Sequence, residues 1–446
     1  MVSAAEQLAA NLNFGALAKA EELKKRIWFT LGALLVYRLG TYIPLPGIDP
    51  GAWEQAFKAQ AGGILGMFNM FAGGGIHRLA IFALGIMPYI SASIIIQLLT
   101  TVSPTLEALK KEGEAGRKML NQYTRYLTVV LAFAQSYGIA VGLQHMGNVV
   151  SDPGAFFLLS STITLTGGTM FLMWLGEQIT SRGIGNGISL IILSGIVAQL
   201  PSALASLFEM GRVSSPALPL VISVMAVVVI AFVVFMERAQ RRLLIQYPKR
   251  QVGNKVFEGQ SSHLPLKLNT SGVIPPIFAS SLLLLPATIA NFFANKAPDW
   301  TGDWGQWLMT QLGHGRPLFL VLYLVLIVFF AFFYTAIVFN PTETADNLKK
   351  HGGYIPGYRP GERTAEYIDY VLSRITVVGA IYLAIVCLLP EALTGYFNVS
   401  FYFGGTSLLI VVSVTMDTVA QVQGYLLAHQ YEGLLKKSKL RGSRRK

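Results

Sequence analysis

Residues 86–96 read IMPYISASIII, and residues 273–283 read VIPPIFASSLL. Laid over each other, the two stretches put Pro88 on Pro275, Ile90 on Ile277, Ala92 on Ala279 and Ser93 on Ser280. Each stretch opens an apolar run near the length of a membrane span, and each run is the second of five. An odd number of spans per repeat turns the second copy upside down, and inverted repeats place their working site at the seam between them. The echo therefore predicts an all-α bundle of two inverted five-helix halves.

The rest of the chain agrees with a membrane setting. Of its 446 residues, 53% are hydrophobic and only 13% charged, where soluble domains carry about 25% charged residues. Mean hydropathy is +0.51. Long uncharged runs of this kind mark transmembrane helices, which need roughly 20 apolar residues. Ten are expected, at 24–43, 79–101, 124–144, 155–176, 187–202, 216–237, 273–292, 317–339, 373–390 and 404–426. The plan is then a leader 1–23, a first half 24–202, a second half 203–426 with large loops 238–271 and 340–372, and a basic tail 427–446.

Lysine and arginine accumulate in cytoplasmic loops, and here they alternate from side to side. Lys24, Lys25 and Arg26 precede the first span, and Lys110, Lys111, Arg117 and Lys118 follow the second. Arg238, Arg241, Arg242, Lys249, Arg250, Lys255 and Lys267 lie between the sixth and seventh, and Lys349, Lys350, Arg359 and Arg363 between the eighth and ninth. The other loops hold little beyond Lys58, Arg78, Arg212, Lys296 and Arg316. Both termini are expected in the cytoplasm. A polar leader precedes the first span and no small-residue cleavage site follows it, so that span is expected to stay as an anchor.

One apolar stretch is too short to cross. GGILGMFNMFAGGG, residues 62–75, hangs from the outer side between the first two spans. It is expected to lie on the surface or dip back into the bundle.

Enzyme signatures are missing from the sequence: there is no phosphate loop or HExxH, and His77, His145, His263, His314, His351 and His429 are scattered without metal-ligand spacing. Cys387 lies inside a span and has no second cysteine to pair with, so cysteine usage says nothing of redox compartment. Ionisable residues in spans mark ion-coupled transport, yet only Asp417 stands well inside one, with Arg38 and Glu177 near span ends. That scarcity weighs against the main alternative, an ion-coupled secondary transporter with a five-plus-five repeat. What recurs instead is isoleucine on Pro- and Gly-broken spans: Ile86 and Ile90 one turn apart, Ile192 and Ile196 one turn apart, Ile277 and Ile410. Such residues are ordinary core or lipid-facing side chains, or they converge as a dewetting constriction that offers a passing chain nothing to bind.

Nine motifs run the length of the chain: RLGTYIPLPGID, MFNMFAGG, FALGIMPYISASIIIQLL, SPTLEALKKEGEAGR, MWLGEQITSRGIGNGIS, LPLKLNTSGVIPPIFASS, VFNPTETADNLKK, IPGYRPGERT and FYFGGTSLLIVV. From about residue 15 to residue 435 the sequence resembles the SecY family of bacterial protein-translocation channels. The resemblance implies a channel that threads unfolded polypeptide through the inner membrane and releases apolar segments sideways into lipid. It implies a pore ring at Ile86, Ile90, Ile192, Ile196, Ile277 and Ile410, and a plug helix carrying Gly63, Ile64, Leu65, Met67, Phe68, Asn69 and Phe71. A lateral gate would use Ser91, Ser93 and Gln97 of the second span, with Thr270, Ser271 and Ser280 of the seventh. Partners implied are the SecE and SecG companions, the SecA motor, the ribosome with its rRNA, signal peptides, nascent polypeptide and anionic lipids; no cofactor is implied. Arg241, Arg242, Lys249, Arg250 and Arg359 would form the docking surface, the last held out by turns at Pro356-Gly357 and Pro360-Gly361. Tyr358 departs from the smaller aliphatic residue expected there.

Overall fold

A computed structural model of the chain describes residues 20–60, 69, 72–145, 149–213, 217–248, 250–252, 255–257, 261–293, 317–397 and 405–442. In chain order the helices are α1 (Glu21–Gly40), α2 (Pro50–Gln60), α3 (Met87–Val102), α4 (Pro104–Lys111), α5 (Glu114–His145), α6 (Ala155–Arg182), α7 (Gly187–Val197), α8 (Leu200–Val213) and α9 (Ala217–Arg238). Strands β1 (Gln240–Gln246), β2 (Arg250–Val252), β3 (Lys255–Phe257) and β4 (Ser261–Lys267) come next. After them run α10 (Ile274–Phe293), α11 (Pro317–Val338), α12 (Pro341–Lys350), α13 (Glu362–Phe397) and α14 (Gly405–Gly442).

Six of the described helices are long and apolar enough to cross a membrane, and the pair α3–α4, bent by 99°, makes a seventh. Of the other helices, α9 is uncharged before Glu237, α10 is uncharged throughout, and α1 carries no charge between Arg26 and Arg38. Their outward faces fit lipid. Trp28, Leu31, Leu35 and Leu39 form an exposed stripe on α1, as do Val224, Val227, Val228 and Phe235 on α9; in water such stripes are aggregation liabilities, while in a bilayer they meet solvent of their own kind. Several helix hydroxyls are satisfied on their own backbone: Thr30, Thr124, Thr128, Thr335 and Thr376 each donate to the carbonyl four residues back, at 2.7–2.9 Å.

The second span departs from its expected start at residue 79. Residues 72–79 and 81–86 are turns, with positive φ at Gly73, Gly74, Leu79 and Gly85, and the helix begins at Met87 with a proline in its first turn. Pro88 has no N–H to give, which costs nothing there and would break a helix begun earlier. At 16 residues α3 is about 24 Å long, and it ends where Ser103 takes an extended conformation ahead of Pro104. At the other end of the chain α14 continues to Gly442, past the limit of 426 expected for the last span, because the sequence beyond it is rich in Leu and Lys and free of proline.

Contacts divide the chain into two compact units: Met1–Ser202, Thr288–Ala297 and Val414–Lys446 in one, Ala203–Ala287 and Pro298–Ser413 in the other. In the first, α5 packs on α3 and α6, and α6 on α1 and α7. A core of Leu45, Trp53, Phe57, Ala72, Ile76 and Leu79, continued by Leu143 and Phe157, gathers the turns and α2 under these helices. In the second unit α13 packs on α9, α11 and α12, and Cys387 is buried within it.

Candidate functional site

The stretch 62–75 enters the described structure at Asn69 and again from Ala72. Gly63, Ile64, Leu65, Met67, Phe68 and Phe71, all expected plug positions, lie outside the described residues. Asn69 is buried. Its Oδ1 accepts the His77 N–H at 2.8 Å, and its carbonyl accepts the Gly74 N–H at 2.9 Å and Nε2 of Gln199 at 3.0 Å. Four residues on, the Gly73 carbonyl accepts Nη1 of Arg38 at 2.6 Å. The two donors come from the end of α1 and the turn after α7. Gly73 sits against Gly195 so closely that a Cβ on Gly73 would stand 2.9 Å from the Gly195 Cα and 2.5 Å from the Tyr37 hydroxyl. Farther on, Trp53 of α2 donates to the Ile76 carbonyl at 2.8 Å. The segment is thus pinned through its backbone carbonyls.

All six singled-out isoleucines are buried, none more than 9% exposed. Ile86, Ile90, Ile192 and Ile196 belong to the first unit, Ile277 and Ile410 to the second. Ile90 lies in the first turn of α3, Ile192 and Ile196 on α7, Ile277 in the first turn of α10 and Ile410 in the second of α14.

Several polar residues of the second and seventh spans and their approaches bond within their own segments. Gln97 donates to Ser93 at 3.4 Å, Ser280 to the Ile277 carbonyl at 2.9 Å, Thr270 to the Lys267 carbonyl at 3.0 Å and Ser271 to Asn269 Oδ1 at 3.1 Å. Ser91 is buried. Among the described residues the Gln97 Oε1 and Ser281 Oγ are buried without a partner. Asn269 in turn donates to Glu237 at 2.6 Å and to the Gly272 carbonyl at 3.1 Å, which anchors the foot of α9 to the entry of α10.

The two large loops meet. β1 and β4 form an antiparallel ribbon that pairs Arg241 with Leu266 and Arg242 with Pro265, and β2 and β3 form a second, shorter ribbon. Gln246 at the end of β1 exchanges backbone bonds with Tyr354 at 2.9 and 3.0 Å, and Tyr354 Oη donates to Gln246 Oε1 at 3.1 Å. Leu243 and Leu266 share a core with Ile355, Ile368, Val371 and Ile375. The Tyr358 N–H returns to the Ile355 carbonyl at 3.1 Å with Pro356 and Gly357, φ +89°, between them, a type II turn. Arg241, Arg242 and Arg359 are exposed. Lys249 lies outside the described residues, and Arg250 is placed only as part of β2. Tyr358, the residue out of pattern, stacks on Tyr367 with ring centres 4.1 Å apart.

Three further groups carry charge. Arg125 of α5 and Glu177 of α6 make a two-pronged ion pair at 2.8 and 2.8 Å, so Glu177 serves helix packing. Asp417 is exposed. On α4, beyond the bend, the Lys111 ammonium bonds Glu107 at 2.7 Å and holds that carboxyl below its ordinary range. Neither Arg125 nor Gln199 belongs to a motif that sequence reasoning singles out; the only signal they give is an arginine and an amide standing in otherwise apolar runs.

Apolar helices with a broken second span, a buried Ile86 and buried isoleucines on α3, α7, α10 and α14, and a basic two-loop platform define a multi-pass α-helical membrane protein of the channel class. The SecY family model matches residues 80–419, and the chain belongs to the SecY family. It is 56% identical over 424 residues to the protein translocase subunit SecY of Vibrio cholerae serotype O1, covering 94% of this chain and 96% of that one. It is likewise 56% identical over 430 residues to the SecY subunit of Escherichia coli K12, again covering 94% and 96%. Among solved structures it resembles a SecY channel whose plug domain is described as stabilising the closed state and maintaining a membrane seal, with TM-score 0.65 and 18% identity over 90% of this chain and 92% of that one. It also resembles Sec61 from a canine ribosome–channel complex of the endoplasmic reticulum, with TM-score 0.62 and 17% identity over 90% and 92%. The fold is the all-α, ten-span fold of these channels.

Proposed function

We propose that this chain is the pore-forming subunit of the Sec translocase, passing unfolded polypeptide across the bacterial inner membrane and letting apolar segments leave sideways into lipid. The observation that carries this reading is the burial of Ile86, Ile90, Ile192, Ile196, Ile277 and Ile410 on helices that proline and glycine interrupt, in a chain of the SecY family. A charged group at the bilayer centre costs several kcal/mol, and a single apolar ring between hydrated funnels confines that cost to a few substrate residues at a time. In this reading the stretch 62–75 is the stopper on the outer side, and Ser91, Ser93, Gln97, Thr270, Ser271 and Ser280 line the seam that parts for a signal helix. Interhelical bonds of this type are worth about 0.6–2 kcal/mol each, so locally bonded hydroxyls leave such a seam easy to open.

Arg241, Arg242, Lys249, Arg250 and Arg359 would then face the cytoplasm with both termini and receive the ribosome or the SecA motor, which supplies the energy. SecE and SecG are the expected companions, anionic lipids the expected surroundings, and catalysis is no part of the role. The test is reconstitution of the chain with companions and motor in proteoliposomes. Import of a signal-bearing polypeptide is the expected result; solute counterflow without import would overturn the reading in favour of a carrier.

A further inference from the structure

We propose that Arg38, Tyr42 and Arg78 form a binding site for the phosphate of one phospholipid, in the leaflet that meets the end of α1 away from Lys24, Lys25 and Arg26. The site asks only that α1 cross a membrane, so it stands apart from the channel reading. Tyr42 follows the last turn of α1 and its ring carries two cations: the guanidinium carbon of Arg78 lies 3.9 Å from the ring centre and that of Arg38 5.5 Å. Two like charges held this close repel each other, and an anion beside them relieves both. Among the described residues neither arginine forms an ion pair. Arg38 uses only Nη1, on the Gly73 carbonyl at 2.6 Å and on Thr41 Oγ1 at 3.5 Å, which leaves Nε and Nη2 to donate. Arg78 is exposed, and among the described residues its fork has no hydrogen-bond partner.

The place fits a headgroup. Trp28, Leu31, Leu35, Leu39 and Tyr42 follow one another at helical spacing and are all exposed, so the lipid-facing stripe of α1 starts on a tryptophan and ends on a tyrosine. Rings of these two kinds mark the membrane–water interfaces, and an arginine lying on such a ring reaches the level of the phosphates. The backbone holds the partners together. The Ile81 N–H bonds the Ile43 carbonyl at 3.0 Å and the Leu45 N–H bonds the Leu79 carbonyl at 2.9 Å, which clasps the residues after Tyr42 to those after Arg78. Leu79, 2% exposed, takes φ +43°, and among the described residues no other side-chain-bearing residue has a positive φ. Such strain persists where the surroundings enforce it, and here it turns the chain directly after Arg78. Guanidinium forks match phosphate oxygens in pairs. The stripe that leads to the ring delivers a lipid rather than a free anion, and two positive charges favour the anionic phosphatidylglycerol over a zwitterionic phospholipid.

The experiment is photolabelling of the full chain with its companion subunits in phosphatidylcholine nanodiscs, using a trace of phosphatidylglycerol that bears a diazirine near its headgroup. Peptide mapping is expected to place label around Tyr42 and Arg78, displaced by unlabelled phosphatidylglycerol and not by inorganic phosphate in the buffer. Arg78→Gln, at an exposed side chain, should lower that label roughly tenfold or more, the factor for a lost bond to a charged group, and Tyr42→Leu should lower it in the same direction. Arg212→Gln, at an exposed arginine of α8, controls for general charge and should leave the label unchanged. Displacement by inorganic phosphate would overturn the lipid as ligand. Label unchanged in Arg78→Gln, or lowered equally in Arg78→Gln and Arg212→Gln, would overturn the site.

Discussion

A polar amide placed at Ile90 or Ile410 brings a group that must find partners into a position now 6% or 1% exposed, at a cost of about 1–3 kcal/mol if none is found. The cheapest partner for such a group is water, so Ile90→Asn and Ile410→Asn are expected to wet the closed channel. Export of substrates with defective signal peptides should rise in both, and ion leak should rise with it; selectivity and leak at parental levels would remove these positions from the ring. Gly195→Ala tests the neighbouring contact. Its Cβ would meet the Gly73 Cα at 3.0 Å and the Tyr37 hydroxyl at 3.2 Å, so backbone must give on one side, and a lowered thermal midpoint or a raised leak is expected where an exposed glycine in the same helix class would gain from alanine.

At the scale of elements, the ribbon β1–β4 owes its place to the apolar side of an alternating strand. In QRRLLIQ, Leu243 and Ile245 are buried on one face while Arg242 and Leu244 on the other, and Arg241 at the strand's start, are exposed. Leu243→Ala should cost about 2–5 kcal/mol locally, seen as faster hydrogen exchange and protease cleavage in 238–271 and 340–372, with the transmembrane helices unchanged. Equal exchange would mean that the Gln246–Tyr354 bonds alone hold the loops together. The apolar runs are readable from the sequence because length and lack of charge suffice to define a span. The limits of the second span are not, since Gly85 and Pro88 decide them through a positive φ and a missing N–H rather than through hydropathy. The ribbon reads only as loop because its strands are short and their pairing is fixed by residues some twenty positions away. The bonds made by Arg38 and Gln199 are hidden for a related reason: their partners are backbone carbonyls 35 and 130 residues distant in sequence, and a carbonyl leaves no mark in the letters.

For the molecule as a whole the governing quantity is a net charge of +12, to which the loop 238–271 and the basic tail 427–446 are the main contributors, the former joined to the loop 340–372 by the Gln246–Tyr354 bridge. Binding to ribosomal RNA through such a surface should weaken with salt, and the log–log slope should shallow by roughly 0.7–0.9 for each phosphate the protein ceases to neutralise. Arg241→Ala combined with Arg359→Ala is expected to flatten that slope by nearly two such steps while leaving membrane insertion intact; a slope unaffected by both changes would place the RNA-binding surface elsewhere. The ion pair of Arg125 with Glu177 belongs to a different class, since it joins two helices of one unit and has no phosphate to meet.

Cys387, the chain's one thiol, lies 1% exposed within α13. Thiol reagents attack the exposed thiolate, so a water-borne maleimide has almost nothing to react with in the parent protein. Any single cysteine introduced between residues 62 and 75 would therefore report its own accessibility against a nearly silent background, and the seating of that stretch can be followed by labelling without first stripping the chain of sulfur.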